Sequence, residues 1–250
     1  MLKLLLVSFL IFFTQAGFSE RDLLDKKNIL YDLRPLDEFK KERIKNSIHI
    51  DYQYFEPQLL QKKYQDFISF LTISGVDRDK KIIFITNGRE DVKKAAFLGF
   101  FINLFGIKDV VSVPSFEELK KSRVPTQTTG RKMEPSKLTV DVNLIEKSLF
   151  ELPSRTLLTR KNTVIFECET QSDLKIKGAK PLKSDDFFQD DHIIPPPYVI
   201  KAKNIYLYPE NSRETYIVAF LLKNYLKLEG VKILKGDEKQ WKRLKLMEKR

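Results

Sequence analysis

The sequence predicts an α/β protein built as two tandem domains, each a mostly parallel sheet flanked by helices. Three observations predict it. Short apolar strands alternate with amphipathic helices along the chain. The stretch 81–85 is a near-continuous apolar run, as expected for a strand buried on both faces. The order of pieces then occurs twice, with Gly106 and Gly230 as corresponding helix stops 124 residues apart. That spacing is too long for a solenoid and suits two domains.

The chain opens with a segment of different character. Lys3 precedes an apolar run at 4–13, and small residues follow at Ala16, Gly17 and Ser19. This is the layout of a secretory signal peptide, so residues 1–19 are expected to be removed on export to a periplasm or the exterior. An uncleaved membrane anchor is the alternative. The first domain is then expected over 20–122. Its strand at 28–32 is ended by Arg34 and Pro35, because proline lacks an amide donor and restricts its predecessor. Residues 37–41 read as a short helical turn running from acidic to basic. Residues 67–71 belong to a helix that Gly75 stops. A longer helix at 91–105 gathers Ala95, Ala96, Leu98, Ile102 and Phe105 on one face and stops at Gly106. The strand Val110–Val113 follows.

Apolar residues thin out over 123–137, where Pro125, Thr126, Thr128, Thr129, Gly130 and Pro135 mark a linker. The second domain, 138–250, repeats the plan with strands at 163–167 and 203–208, a helix at 213–228, the Gly230 stop and a strand at 231–234. Prolines 195–197 read as a stiff extended connection. The chain is expected to finish in a basic C-terminal helix.

With 42% hydrophobic and 12% aromatic residues in 250, each half can bury a core, which excludes disorder. The formal net charge is +11. Lys120, Lys121, Arg123, Arg131, Lys132 and Lys137 crowd the middle; Lys239, Lys242, Arg243, Lys245, Lys249 and Arg250 crowd the end. Trp241 is the only aromatic among them and no nucleic-acid motif is present, so no nucleic-acid partner is expected. The bland account is a solvated linker and helix end; the functional one is peripheral contact with an anionic membrane surface. A single cysteine, Cys168, excludes an intramolecular disulfide, so stability rests on packing. No cofactor or metal is expected.

The repeated motif is specific in its residues. The stretch 28–39, containing Asp32 and Arg34, is followed by Arg43, Ile44 and Ser47; it is echoed by 162–167, followed by Lys175, Ile176, Gly178 and Ala179. Gly236 and Trp241 stand near the end of the second copy. In this order the residues resemble the rhodanese (sulfurtransferase) domain over about 22–122 and 138–246. Arg43-Ile44 and Lys175-Ile176 replace that family's His-Ile pair. Asp237 replaces the second glycine of its Gly-Gly…Trp turn, and Pro114 and Ser115 stand there in the first half.

The resemblance implies sulfur transfer through a persulfide on a cysteine, which heads a loop of the form Cys-x-x-Gly-x-Arg or Ser between a buried strand and a helix. Physically, amides curling toward a helix N-terminus lower a thiol's pKa and hold an anionic sulfur, and a cationic side chain binds the donor. In the second half Tyr208 stands where the cysteine would, Asn211 where the glycine would, and Arg213 in its usual place. Asparagine tolerates left-handed backbone, so the loop shape is expected to survive. Pro209 removes an amide and Glu210 adds negative charge, and both oppose an anionic donor. In the first half Ile85 or Thr86 takes the nucleophile's place, with Gly88 and Arg89 after it and the spacing one residue short. A threonine nucleophile needs a base, and His49 and His192 are both distant in sequence.

Cys168 aligns with the Asp32-x-Arg34 segment rather than with the loop, and Glu167 and Glu169 flank it and should raise its pKa. The expectation is therefore an exported, catalytically inactive pseudo-sulfurtransferase with a binding or scaffolding role toward a small anion or a protein partner. The cleft between domains is the default ligand site, with Arg34, Arg89 and Arg213 as anion-binding candidates. Two alternatives stand beside it. One is a divergent sulfurtransferase or phosphatase-like hydrolase using Cys168; the other is a peripheral envelope-interaction protein held by its basic segments.

Overall fold

The structure, a computed structural model, describes residues 20–249 apart from 114–115, 122–123, 129–133, 155, 171–172, 190–191 and 201. The expected signal peptide at 1–19 lies outside the described residues. Among those described, no helix is long and apolar enough to cross a membrane.

The first half runs α1 (Glu20–Leu24), β1 (Ile29–Asp32), α2 (Leu36–Lys41), β2 (Arg43–Ile44), β3 (Ile48–His49), α3 (Tyr52–Leu60), α4 (Gln65–Ile73), β4 (Ile82–Ile85), α5 (Arg89–Leu104), β5 (Val110–Val113), α6 (Phe116–Lys121) and β6 (Thr126–Gln127). Its sheet has the order β3-β1-β4-β5 and every pairing in it is parallel. All four residues of β1 and of β4 are buried, as a continuous apolar run requires.

The second half runs α7 (Val142–Leu149), β7 (Phe150–Glu151), β8 (Thr163–Glu167), β9 (Leu174–Ile176), β10 (Lys180–Pro181), β11 (Phe188–Gln189), β12 (His192–Ile193), α8 (Pro197–Ile200), β13 (Asn204–Tyr208), α9 (Arg213–Phe220), β14 (Val231–Leu234), α10 (Glu238–Arg243) and β15 (Met247–Lys249). Its sheet, ordered β10-β8-β13-β14-β7, is again wholly parallel.

The duplication reaches individual hydrogen bonds. Leu33 N–H donates to the Ile85 carbonyl as Cys168 N–H does to Tyr208. Ile50 donates to Asp32 as Leu182 does to Glu167, and Ile82 to Asp109 as Ile205 does to Gly230. Asp32 is registered with Ile85, and Glu167 with Tyr208. Ile85, not Thr86, is therefore the counterpart of Tyr208.

Four segments differ from the sequence expectation. The helix expected over 213–228 is α-helical only to Phe220, after which Leu221–Tyr225 forms a wider turn closed by Leu226 N–H on the Leu221 carbonyl. That turn carries Asn224 to the first half, where it donates to the Val110 carbonyl at 2.8 Å and accepts from Asn103 at 2.9 Å. The basic C-terminal helix is only six residues long; Lys245, at φ 59°, ends it and the chain continues into β15. Within the expected linker, β6 pairs with β2, and Ser136 N–H bonds the Thr72 carbonyl at 2.9 Å. Pro197 begins α8 rather than extending the run of prolines, since a helix's first position needs no amide donor.

Helices α5 and α9 cross between the halves. A single buried cluster joins Phe97, Phe100 and Phe101 of α5 to Tyr216 and Phe220 of α9. The Phe100 and Tyr216 rings stack at 4.8 Å. Gly99 makes the approach close: a Cβ there would lie 2.6 Å from the Phe220 ring.

Candidate functional site

The loop after β13 keeps its expected outline. Ser212 caps α9 by accepting from Thr215 N–H at 3.4 Å, and Asn211 holds φ 65°, the left-handed conformation its type allows. Its contents differ from a sulfur-transfer cradle. Tyr208 is 5% exposed and packs edge-on against Trp241 with ring centroids 5.7 Å apart. The Asn211 side chain is engaged by the Tyr216 hydroxyl at 3.3 Å.

The loop's two charges both reach across to the first half. Lys62 Nζ meets the Glu210 carboxylate at 2.5 Å. Arg213 Nε donates to the Tyr52 hydroxyl at 2.9 Å and lies 3.4 Å from Glu56, while its Nη2 lies 3.6 Å from Glu90. Lys93 adds a further crossing to Asp185 at 2.7 Å, and Tyr64 donates to Glu146 at 3.2 Å. The cleft expected to take a ligand is thus crossed by pairs from within the chain. Burial pushes the Tyr52 phenol up and keeps it a donor or acceptor rather than an anion.

The loop after β4 is filled from inside. Thr86 is buried, and its carbonyl accepts from Phe116 N–H at 3.1 Å. Asn87 N–H, an amide that would face an anion, is already capped by the Asp91 carboxylate at 2.9 Å, and Lys94 pairs with the same carboxylate at 2.7 Å. Gly88, at φ 85°, stands at the head of α5.

The three arginine candidates do not converge. Arg34 grips Asp32 through two bonds of 3.1 and 2.8 Å, donates to the Glu42 carbonyl at 2.8 Å and lies 3.3 Å over the Phe116 ring. Both members of that pair are buried, so Arg34 ties a strand end to the following turn. Arg213 is likewise turned onto Tyr52 and the glutamates. Arg89 is exposed and lies 5.6 Å from the Phe188 ring of the second half.

Cys168 follows β8 at 1% exposure and is reduced. Burial is the main force raising its thiol pKa; the adjacent Thr215 hydroxyl offsets part of it, and the carboxylates of Glu214 and Glu167 add to it. The sequence named Glu167 and Glu169; the fold brings in Glu214 from α9, which chain order hides. Thr215 Oγ1, beside the thiol in the first turn of α9, is buried with no hydrogen-bond partner among the described residues. A pocket of about 210 Å3 lined by Glu167, Cys168, Thr170, Lys175, Ala179 and Lys183 opens beside this point, inside the second half. The sequence did not foresee this pocket. The side chain of His192 lies outside what is described.

Comparison with known proteins agrees with the fold. The Rhodanese-like domain family matches over residues 20–121. Among solved structures, EanB Y353A in complex with ergothioneine superposes with a TM-score of 0.62 at 10% identity, over 86% of this chain and 62% of that one. Wild-type EanB gives 0.58 at 10% identity, over 86% and 61%. The chain thus spans less than two thirds of EanB's length. SseA from Escherichia coli, a 3-mercaptopyruvate sulfurtransferase, gives 0.62 at 13% identity, over 87% of this chain and 94% of that one. At such identities the likeness is one of fold. No curated protein sequence matches the chain.

Proposed function

We propose that the chain is an exported pair of rhodanese-like units that has lost sulfur transfer in both and acts by binding or scaffolding. One observation carries the reading: the position heading the second loop is the buried ring of Tyr208, and its counterpart in the first is Ile85. Neither side chain can hold a persulfide. The loop's charges support the same reading, because Glu210 and Arg213 are committed to Lys62 and Tyr52 across the halves. Export rests on the character of residues 1–19. The test is turnover of thiosulfate or 3-mercaptopyruvate with cyanide or a thiol as acceptor. The expected result is none above buffer, and turnover abolished by Cys168→Ser would reject the proposal.

A second reading is a divergent sulfurtransferase using Cys168. It draws on the thiol's place beside Thr215 of the first turn of α9 and beside a pocket. Burial and two carboxylates oppose it, since they suppress the thiolate that the chemistry needs.

A further inference from the structure

The basic C-terminal run is one half of a patch that the fold assembles. β15 returns antiparallel along β9, setting Glu248 opposite Lys175 and Lys249 opposite Leu174. Lys177 N–H then bonds the Leu246 carbonyl at 2.9 Å, which sets Lys177 opposite the residue that follows Lys245. Segments 174–183 and 239–249 together hold nine lysines and arginines against one carboxylate, Glu248. Most of the chain's net charge of +11 therefore sits on these two paired segments. All nine except Lys175 are exposed. Among the described residues two of the nine are in ion pairs, Lys175 with Glu248 and Lys242 with Glu238. Asp173 and Glu169 stand in the sequence just before the first segment.

We propose that this patch seats the protein on an anionic lipid surface. Charge complementarity is the driving interaction, since clustered lysines near such a surface each add attraction within a Debye length. Nucleic acid is the poorer occupant, because the only aromatic of the run, Trp241, is wholly buried against Tyr208 and cannot stack on a base. The inference deepens the binding role proposed above and rests on it, but the two fail separately: vesicle binding is silent on sulfur transfer.

The test uses the full chain and two vesicle types, phosphatidylcholine alone and equal parts phosphatidylcholine and phosphatidylglycerol. The readout is the ratio of the two partition coefficients, so that any contribution of residues 1–19 common to both cancels. The triple variant Lys177→Gln, Lys180→Gln, Lys245→Gln should lower that ratio on the order of a hundredfold. A control of equal charge change, Lys40→Gln, Lys41→Gln, Lys45→Gln, removes exposed lysines of the first half and should lower it only about threefold. Equal losses in both triples would overturn the patch and leave only bulk charge. A parent ratio near one would overturn lipid docking. Duplex DNA binding abolished by the first triple, with the vesicle ratio unchanged, would give the patch to nucleic acid instead.

Discussion

Lys62 and Glu210 meet at 2.5 Å across the two halves, with Glu210 coming from the loop that in a sulfurtransferase would face the donor anion. The loop's own carboxylate is paired with that cation. Because the pair is partly buried, its coupling should exceed that of an open surface pair. A double-mutant cycle with Lys62→Met and Glu210→Gln, followed by urea unfolding, should give a coupling of about 1 kcal/mol or more. A coupling indistinguishable from zero would mean that the contact does not join the halves.

Arg34 and Asp32 form a buried pair with no exposed member. Arg34→Met leaves the Asp32 carboxylate buried without its cation and should cost about 3–5 kcal/mol. Adding Asp32→Leu should recover much of that loss, because the uncompensated charge goes with it. Thermal or urea unfolding of the single and double variants reads both numbers.

Gly106 and Gly230, expected as matching helix stops, do not correspond: the strand register pairs Gly230 with Asp109, and the counterpart of Gly106 is Lys227, which also holds a positive φ, 54°. The two are glycine for different reasons, since Gly106 holds φ 94°, whereas a Cβ on Gly230 would run into the Lys203 carbonyl oxygen. Gly106→Ala should cost about 1–2 kcal/mol, the penalty of a left-handed residue. Gly230→Ala should cost about 3 kcal/mol or more, because backbone has to move.

The Cys168 thiol pKa is raised above its unfolded value by burial, so the folded state favours the protonated thiol. This stabilisation is fully present below the unfolded cysteine pKa, about 8.5, and is lost as pH rises through the folded value. A disulfide reagent at pH 8 should therefore label the native protein negligibly and the denatured protein at one site. Rapid native labelling would contradict the buried assignment.

Acid acts on different groups. Burial alone would raise Glu146 and Glu151, but Lys235 acting on the first and Arg160 with Lys232 on the second hold both carboxyls below the usual range. Depressed carboxyls contribute stability above their unfolded pKa, about 4.3, and that stability is lost as pH falls through the folded values. Stability should be level near neutrality and fall below about pH 4.5, and Glu146→Gln should flatten that fall. Urea midpoints across pH 3–7 check it.

Much of the scaffold was legible in the chain. The strands at 110–113, 163–167 and 231–234 are found where the apolar runs place them, because short apolar runs bounded by turn residues read directly as strands. The two-residue strands β2, β3, β6, β7, β10, β11 and β12 were not legible, since two residues carry no periodicity. At the site, the left-handed Asn211 follows from residue type and position. The commitments of Arg213 to Tyr52 and of Glu210 to Lys62 do not: partners 161 and 148 residues away are set by the packing of α5 on α9. The same holds for Thr215 and Glu214 at Cys168.

The central claim is that no sulfur can be parked on this chain. Intact mass spectrometry after incubation with excess thiosulfate or 3-mercaptopyruvate reads this directly, without an acceptor or turnover. The account predicts an unchanged mass for the native protein. A species heavier by one sulfur atom, absent in Cys168→Ser, would contradict it.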